Sequence, residues 1–205
     1  MFQIKICGIT NESDALHAVA CGADALGFVF FTASPRSVTP EQARSIIARL
    51  PSEITTVGLF VNEQPEIVNQ VAADSGIDLV QLHGDETAEN CRQIGRPLIK
   101  ALRVRNAESL AAWDQYPVTA ILLDAWHPEK FGGTGEPCDW GLAADLARQT
   151  TIILAGGLSP ENVAEAVKIV KPHAVDVSSG VEKSPGQKDP DKVAAFIKNA
   201  RESLQ

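Results

Sequence analysis

Two apolar runs in this chain end on residues that exchange protons: MFQIKIC closes on Cys7 and AILLD on Asp124. The ends of similar runs carry Gln81 and His83, the glycine pair Gly156-Gly157, and Ser178-Ser179-Gly180, while Arg36 follows another in the triplet SPR. A thiol is a base once deprotonated, which needs its ordinary pKa of about 8.5 to fall or a small thiolate fraction to serve. A carboxyl is an acid at neutral pH only where burial or a neighbouring negative charge keeps it protonated. Together they suit general acid–base chemistry, set against plainer readings. A buried cysteine packs as a small hydrophobe, and an aspartate closing a strand caps the loop behind it. His83 contacts a ligand or bonds to loop backbone.

Phosphate is indicated by two segments that agree. LAGGLSPEN sets two glycines between a strand and a helix start, and DVSSGVE sets Ser-Ser-Gly behind the last strand. Such loops turn backbone N–H groups and a helix dipole toward an anion. Either alone is satisfied by the steric need for glycine in a tight turn.

These residues have to be positioned by a repeating framework. Short runs rich in β-branched residues alternate with segments of helical period: QIKIC and a helix over about 11–21, ALGFVF and a helix opened by Thr39-Pro40, TVGLFV and a helix after Pro65. DLVQLH precedes a helix after Asp85, LIKALR one near Ala107, and AILLDA a long loop and a helix at Trp140. TIILA with a helix capped by Ser159-Pro160, and AVDVS with one capped by Asp189-Pro190, complete the series. A capping oxygen followed by proline satisfies an orphan amide and presets φ. Nearly continuous apolar strands fit a parallel sheet covered on both faces. Eight such units imply an α/β fold closed as a single-domain (β/α)8 TIM barrel over residues 1–205, whose chemistry belongs at the C-terminal strand ends.

The balance of the chain narrows its partners. With 205 residues, 44% apolar, 21% charged and a net charge of −8, it has no basic stripe for nucleic acid or an anionic membrane surface. A small-molecule partner is expected, no nucleic acid and no membrane. Without a signal-peptide pattern or an apolar run of roughly 20 residues, a cytoplasmic protein is expected, as a monomer in preference to a homodimer. Cys7, Cys21, Cys91 and Cys138 lie far apart, as do the four histidines, so neither a metal site nor a redox motif is visible and free thiols are expected.

The segments KICGIT, GFVF with SPRSV, VGLFVN, VQLHGDE, LLD followed by GGTG and DW, LAGGLSPENV, and VDVSSGVE followed by PGQKD resemble, in order and over nearly the whole chain, the phosphoribosylanthranilate isomerase family. The resemblance implies an Amadori rearrangement of a phosphorylated aminosugar without a metal or organic cofactor. It implies Cys7 as general base, Asp124 as general acid and Arg36 on the anthranilate carboxylate. One departure stands out: Cys138 precedes DW where the family commonly has an aromatic residue. Another phosphosugar isomerase or epimerase, or a non-catalytic phospholigand-binding barrel, remains as an alternative.

Alternation along a strand puts Gln3, Lys5 and Cys7 on one face and Leu122, Asp124 and Trp126 on one face of another. If both faces point inward, Cys7 and Asp124 meet across the barrel mouth. Trp126 and Phe131 shield an aromatic substrate or pack their loop. Barrel closure makes the first and last strands neighbours, so Lys5 and Asp176 are expected to form an interior ion pair, since an unpaired charge there is costly.

Overall fold

A computed structural model describes residues 2–125 and 139–204. Trp126, Phe131, GGTG and Cys138, for which expectations were given above, lie outside the described residues. Strand and helix alternate from the start: β1 (Ile4–Cys7), α1 (Glu12–Ala20), β2 (Ala25–Val29), α2 (Pro40–Ile47), β3 (Thr55–Phe60), α3 (Pro65–Ser75), β4 (Leu79–Leu82) and α4 (Ala88–Arg92). They continue through β5 (Leu98–Val104), β6 (Ala120–Ala125), α5 (Trp140–Ala147), β7 (Ile152–Leu154), α6 (Val163–Val170) and β8 (Ala174–Val177). A hairpin of β9 (Glu182–Ser184) and β10 (Gln187–Lys188) precedes α7 (Pro190–Ser203). Strands β1 to β8 run parallel and close, β1 pairing with β2 through Lys5↔Ala25 and with β8 through Lys5↔Asp176. This is the expected (β/α)8 barrel.

The helix starts show why these segments fold as they do. Thr39 and Gln42 form a reciprocal capping box ahead of Pro40, and Thr87 and Asn90 form another at α4. Asp139 caps α5, and Asp189, followed by Pro190, caps α7 by accepting from the amides of Asp191 and Lys192.

Two helix expectations need correction. Near Ala107 there is no α-helix, only 3-10 turns at Ala107–Leu110 and Trp113–Gln115. Asn106 and Ser109 bond reciprocally three residues apart, which favours the tighter turn. Nor does Ser159-Pro160 cap α6. The Asn162 side chain accepts from the Ser159 amide at 2.8 Å and donates to the Gly157 carbonyl at 2.8 Å, so the loop stays intact and the helix starts at Val163.

Two apolar layers hold the barrel. Ala25, Val57, Leu79, Ile99, Ala101, Leu122 and Ile153 form one buried cluster, and their parity matches that of inward-facing Lys5 and Asp176. Outside it, Phe28, Leu123, Val167 and Phe196 join strands to helices. Fully burying a side chain of this size contributes about 1.5–3 kcal/mol. Toward the mouth the inward layer turns polar, at Cys7, Gln81, Asp124 and Asp176.

Candidate active site

Strand ends deliver the chemistry to one cleft. Its lining includes all nine candidate residues: Cys7 from β1, Arg36 from the loop after β2, His83 directly after β4, Asp124 near the end of β6, Gly156 and Gly157 after β7, and Ser178, Ser179 and Gly180 after β8. The cleft holds about 730 Å³ of empty space, part of it open to solvent. Cys7 and Asp124 are both 5% exposed, so substrate would meet them largely stripped of water.

Asp124 is held at both oxygens. Oδ1 accepts the Ala125 amide at 2.8 Å, and Oδ2 lies 3.1 Å from Nε2 of His83. On the far side of the ring, Nδ1 is 3.0 Å from the amide nitrogen of Gln81. With that amide donating to Nδ1, His83 carries its proton on Nε2 and donates it to Asp124. His83 therefore touches the second catalytic candidate directly, a contact not expected from sequence, while also bordering the cleft where a ligand would sit. Gly156 packs against the same carboxyl: a Cβ there would stand 2.9 Å from Asp124 Oδ1 and 2.5 Å from the Ala125 nitrogen. At φ 74 its backbone also lies where side chains rarely go.

The Cys7 side of the cleft is organised by charge. Burial pushes the Cys7 thiol above its ordinary value; Lys5 opposes that shift and Asp176 adds to it. The expected Lys5–Asp176 ion pair is present, at 2.9 Å.

Arg36 reaches the cleft with two donors already committed. Its Nε and Nη2 grip Glu182 at 2.9 and 2.7 Å, leaving three of the five guanidinium N–H groups for other partners. Lys188 joins the same carboxylate at 2.9 Å and also donates to the Ser178 carbonyl at 3.3 Å. Burial alone would raise the Glu182 carboxyl, but the Arg36 hydrogen bond and the Lys188 charge hold it below the usual range.

The loops after β7 and β8 meet at Gly180, where a Cβ would stand only 1.9 Å from the Leu158 carbonyl oxygen. No other residue allows the two loops this close, so they form one rim. The Ser178 hydroxyl is buried there without a hydrogen-bond partner among the described residues, a donor available to an anion.

A family model described as N-(5'-phosphoribosyl)anthranilate (PRA) isomerase matches residues 4–199. The chain belongs to the phosphoribosylanthranilate isomerase family. It is 56% identical to the N-(5'-phosphoribosyl)anthranilate isomerase of Pelobacter propionicus over 99% of this chain and 97% of that one. It is similar to a crystal structure of a phosphoribosyl anthranilate isomerase in complex with reduced 1-(o-carboxyphenylamino)-1-deoxyribulose 5-phosphate. The TM-score is 0.87 and the identity 44%, over 98% of this chain and 100% of that one. It is also similar to a structure of monomers of the dimeric enzyme from Thermotoga maritima, with a TM-score of 0.89 and 44% identity over 98% of this chain and 100% of that one.

In this member of the phosphoribosylanthranilate isomerase family, sequence reasoning passed over Glu182 and Lys188. The signal was present: SPGQ between them is a turn motif, and the turn folds them together on β9 and β10. Gln81 was noticed only as a polar strand end, because its bond to His83 depends on side-chain direction.

Proposed function

We propose that the chain performs its family's reaction with Cys7 as general base and Asp124 as general acid. Arg36 holds the anthranilate carboxylate, and the Gly156-Gly157 and Ser178-Ser179-Gly180 loops hold the phosphate. The activity is that of a phosphoribosylanthranilate isomerase of tryptophan biosynthesis, converting N-(5-phosphoribosyl)anthranilate into 1-(2-carboxyphenylamino)-1-deoxyribulose 5-phosphate. The observation that carries the residue roles is that all nine side chains and loops border one cleft.

Asp124 gives a proton to the furanose ring oxygen, the C1′–O bond breaks, and an iminium forms between C1′ and the anthranilate nitrogen. The Cys7 thiolate takes the C2′ proton, and the electron pair of that C–H bond neutralises the iminium as an enolamine. Loss of the 2′-hydroxyl proton and gain of one at C1′ give the ketone, with no net change in protons or electrons. His83, 3.1 Å from Asp124, keeps the carboxyl aimed for its transfer to the ring oxygen. Each of the two groups supplies roughly 10²–10⁴ in rate.

Because burial lifts the Cys7 thiol, the thiolate fraction grows as pH rises, so alkylation of Cys7 by iodoacetamide should quicken from neutral into alkaline pH. A flat profile would contradict a thiolate base. The direct test generates the substrate in situ from anthranilate and follows its fluorescence decay. Cys7→Ala and Asp124→Asn should each lose about 10²–10⁴ in kcat while still binding a product analogue. Unchanged turnover in either variant removes that residue from the mechanism.

Residues 1–205 are taken as one catalytic unit, cytoplasmic and monomeric. No described helix is long and apolar enough to cross a membrane, and every candidate residue lies on one chain. Sedimentation as a dimer would overturn the monomer alone.

A further inference from the structure

A thiolate in a buried site needs a cation, and the strand that carries Cys7 supplies one. Lys5 and Cys7 lie two residues apart on β1, so both point into the barrel. Beside them on β2 stands Gly27, the register partner of Cys7. A Cβ built on Gly27 would lie 2.7 Å from the Cys7 sulfur and 3.1 Å from Lys5 Cε. Both side chains thus occupy the space this glycine leaves open.

Lys5 is wholly buried, at 0% exposure. Its ammonium is 2.9 Å from Asp176 Oδ2, close enough for an ion pair, yet the angles are not those of a hydrogen bond. Neither Lys5 Nζ nor Asp176 Oδ1 has a hydrogen-bond partner among the described residues. A buried ammonium with unused N–H groups is costly unless a further acceptor completes it. The charged and titratable groups around the sulfur are Lys5 on its own strand, Asp176 on β8, Lys188 on β10, and Arg36, His83 and Asp124 on the cleft wall. Of the cations, Arg36 and Lys188 are both bonded to Glu182. Lys5 shares the Gly27 gap with the sulfur.

We propose that Lys5 is a positioning residue for the family reaction: anchored by Asp176, its ammonium is the counter-cation of the Cys7 thiolate, and Gly27 provides the space in which the two meet. The inference rests on Cys7 being the base. When the sulfur takes the C2′ proton its charge is lost, and the ammonium is left with Asp176. One cation thus serves two anions in turn, and it is never without a partner through the cycle. A Lys5–Asp176 pair that only braced the barrel would leave the reactivity of the thiol untouched.

The test follows the pH dependence of iodoacetamide alkylation at Cys7, read by mass spectrometry of its peptide, beside kcat and KM at neutral pH. In Lys5→Met, alkylation at neutral pH should slow by about tenfold or more. At neutral pH kcat should fall with KM little changed. In Asp176→Asn the sulfur becomes the sole anion facing the ammonium, so alkylation should quicken. Opposite directions are the signature that a brace would not produce. An unmoved alkylation profile in Lys5→Met, or shifts of the same direction in both variants, would overturn the proposal.

If Lys5→Met fails to fold because Asp176 is left unpaired, the Lys5→Met/Asp176→Asn double variant removes both charges at once. Its alkylation should still be slower than in the unsubstituted chain, because the ammonium that shares the Gly27 gap with the sulfur is gone. Equal rates would overturn the proposal. The underlying reading fails separately, by full activity in Cys7→Ala, whatever the alkylation data show.

Discussion

On the β4 and β6 side of the cleft, contacts of fixed direction aim the Asp124 carboxyl: the Ala125 amide on one oxygen, His83 on the other, and Gln81 behind the imidazole. On the β1 and β8 side, Cys7 sits among charges, with Lys5 and Asp176 beneath it and Lys188 beyond. The contrast follows from the two chemistries. A proton donor to a ring oxygen must point correctly, so position limits it. A thiol base must be ionised, so the surrounding field limits it. Substitutions on the first side should change geometry and leave the thiol's reactivity alone, while those on the second should do the reverse.

The largest effect expected from this contrast is at His83. His83→Asn removes the Nε2 contact with Asp124, and a misplaced acid of this kind costs about 10²-fold in kcat. Alkylation of Cys7 should keep its pH profile. If that profile shifts in His83→Asn as far as in Lys5→Met, the two sides are not separable.

Gly156→Ala presses a methyl group onto the same carboxyl at a backbone angle that side chains avoid. It should lower stability by more than about 1 kcal/mol in urea unfolding and reduce kcat. Cys7 alkylation in the folded protein should again be unaffected. Full stability together with full activity would show that this glycine does not hold Asp124.

The smallest effect lies in the Arg36–Glu182–Lys188 cluster that borders both sides. The Glu182 carboxyl is held below its usual range in the folded chain, so its stabilising contribution is complete above the unfolded carboxylate value of about 4.3 and is lost as pH falls through the folded one. Glu182→Gln should therefore flatten the acid limb of the stability curve, measured as the urea midpoint against pH. Parallel curves would contradict that role.

Much of this architecture was legible in the sequence, because its signals are local. Thr39-Pro40, Pro65 and Asp189-Pro190 announce helix starts through groups a few residues apart, and all three stand where expected. Cys7 and Asp124 were readable because a barrel exposes strand ends at its mouth, and strand parity carried the Lys5–Asp176 pair as well. The illegible parts depend on contacts between distant segments. Arg36 and Glu182 are 146 positions apart, and His83 and Asp124 are 41 apart. Asn162 defeated the Ser159-Pro160 signal because its side chain bonds back into the glycine loop. The segment near Ala107 has helical composition, but Asn106 and Ser109 tighten it locally.

The division of labour is measured most directly with substrate carrying deuterium at C2′. In Cys7→Ser, proton abstraction becomes the slow step, and a primary isotope effect on kcat should emerge well above that of the unsubstituted chain. In Asp124→Asn, ring opening becomes the slow step, and the effect should shrink toward unity. Equal isotope effects in the two variants would contradict the assignment of the C2′ proton to the thiol and of the ring oxygen to the carboxyl.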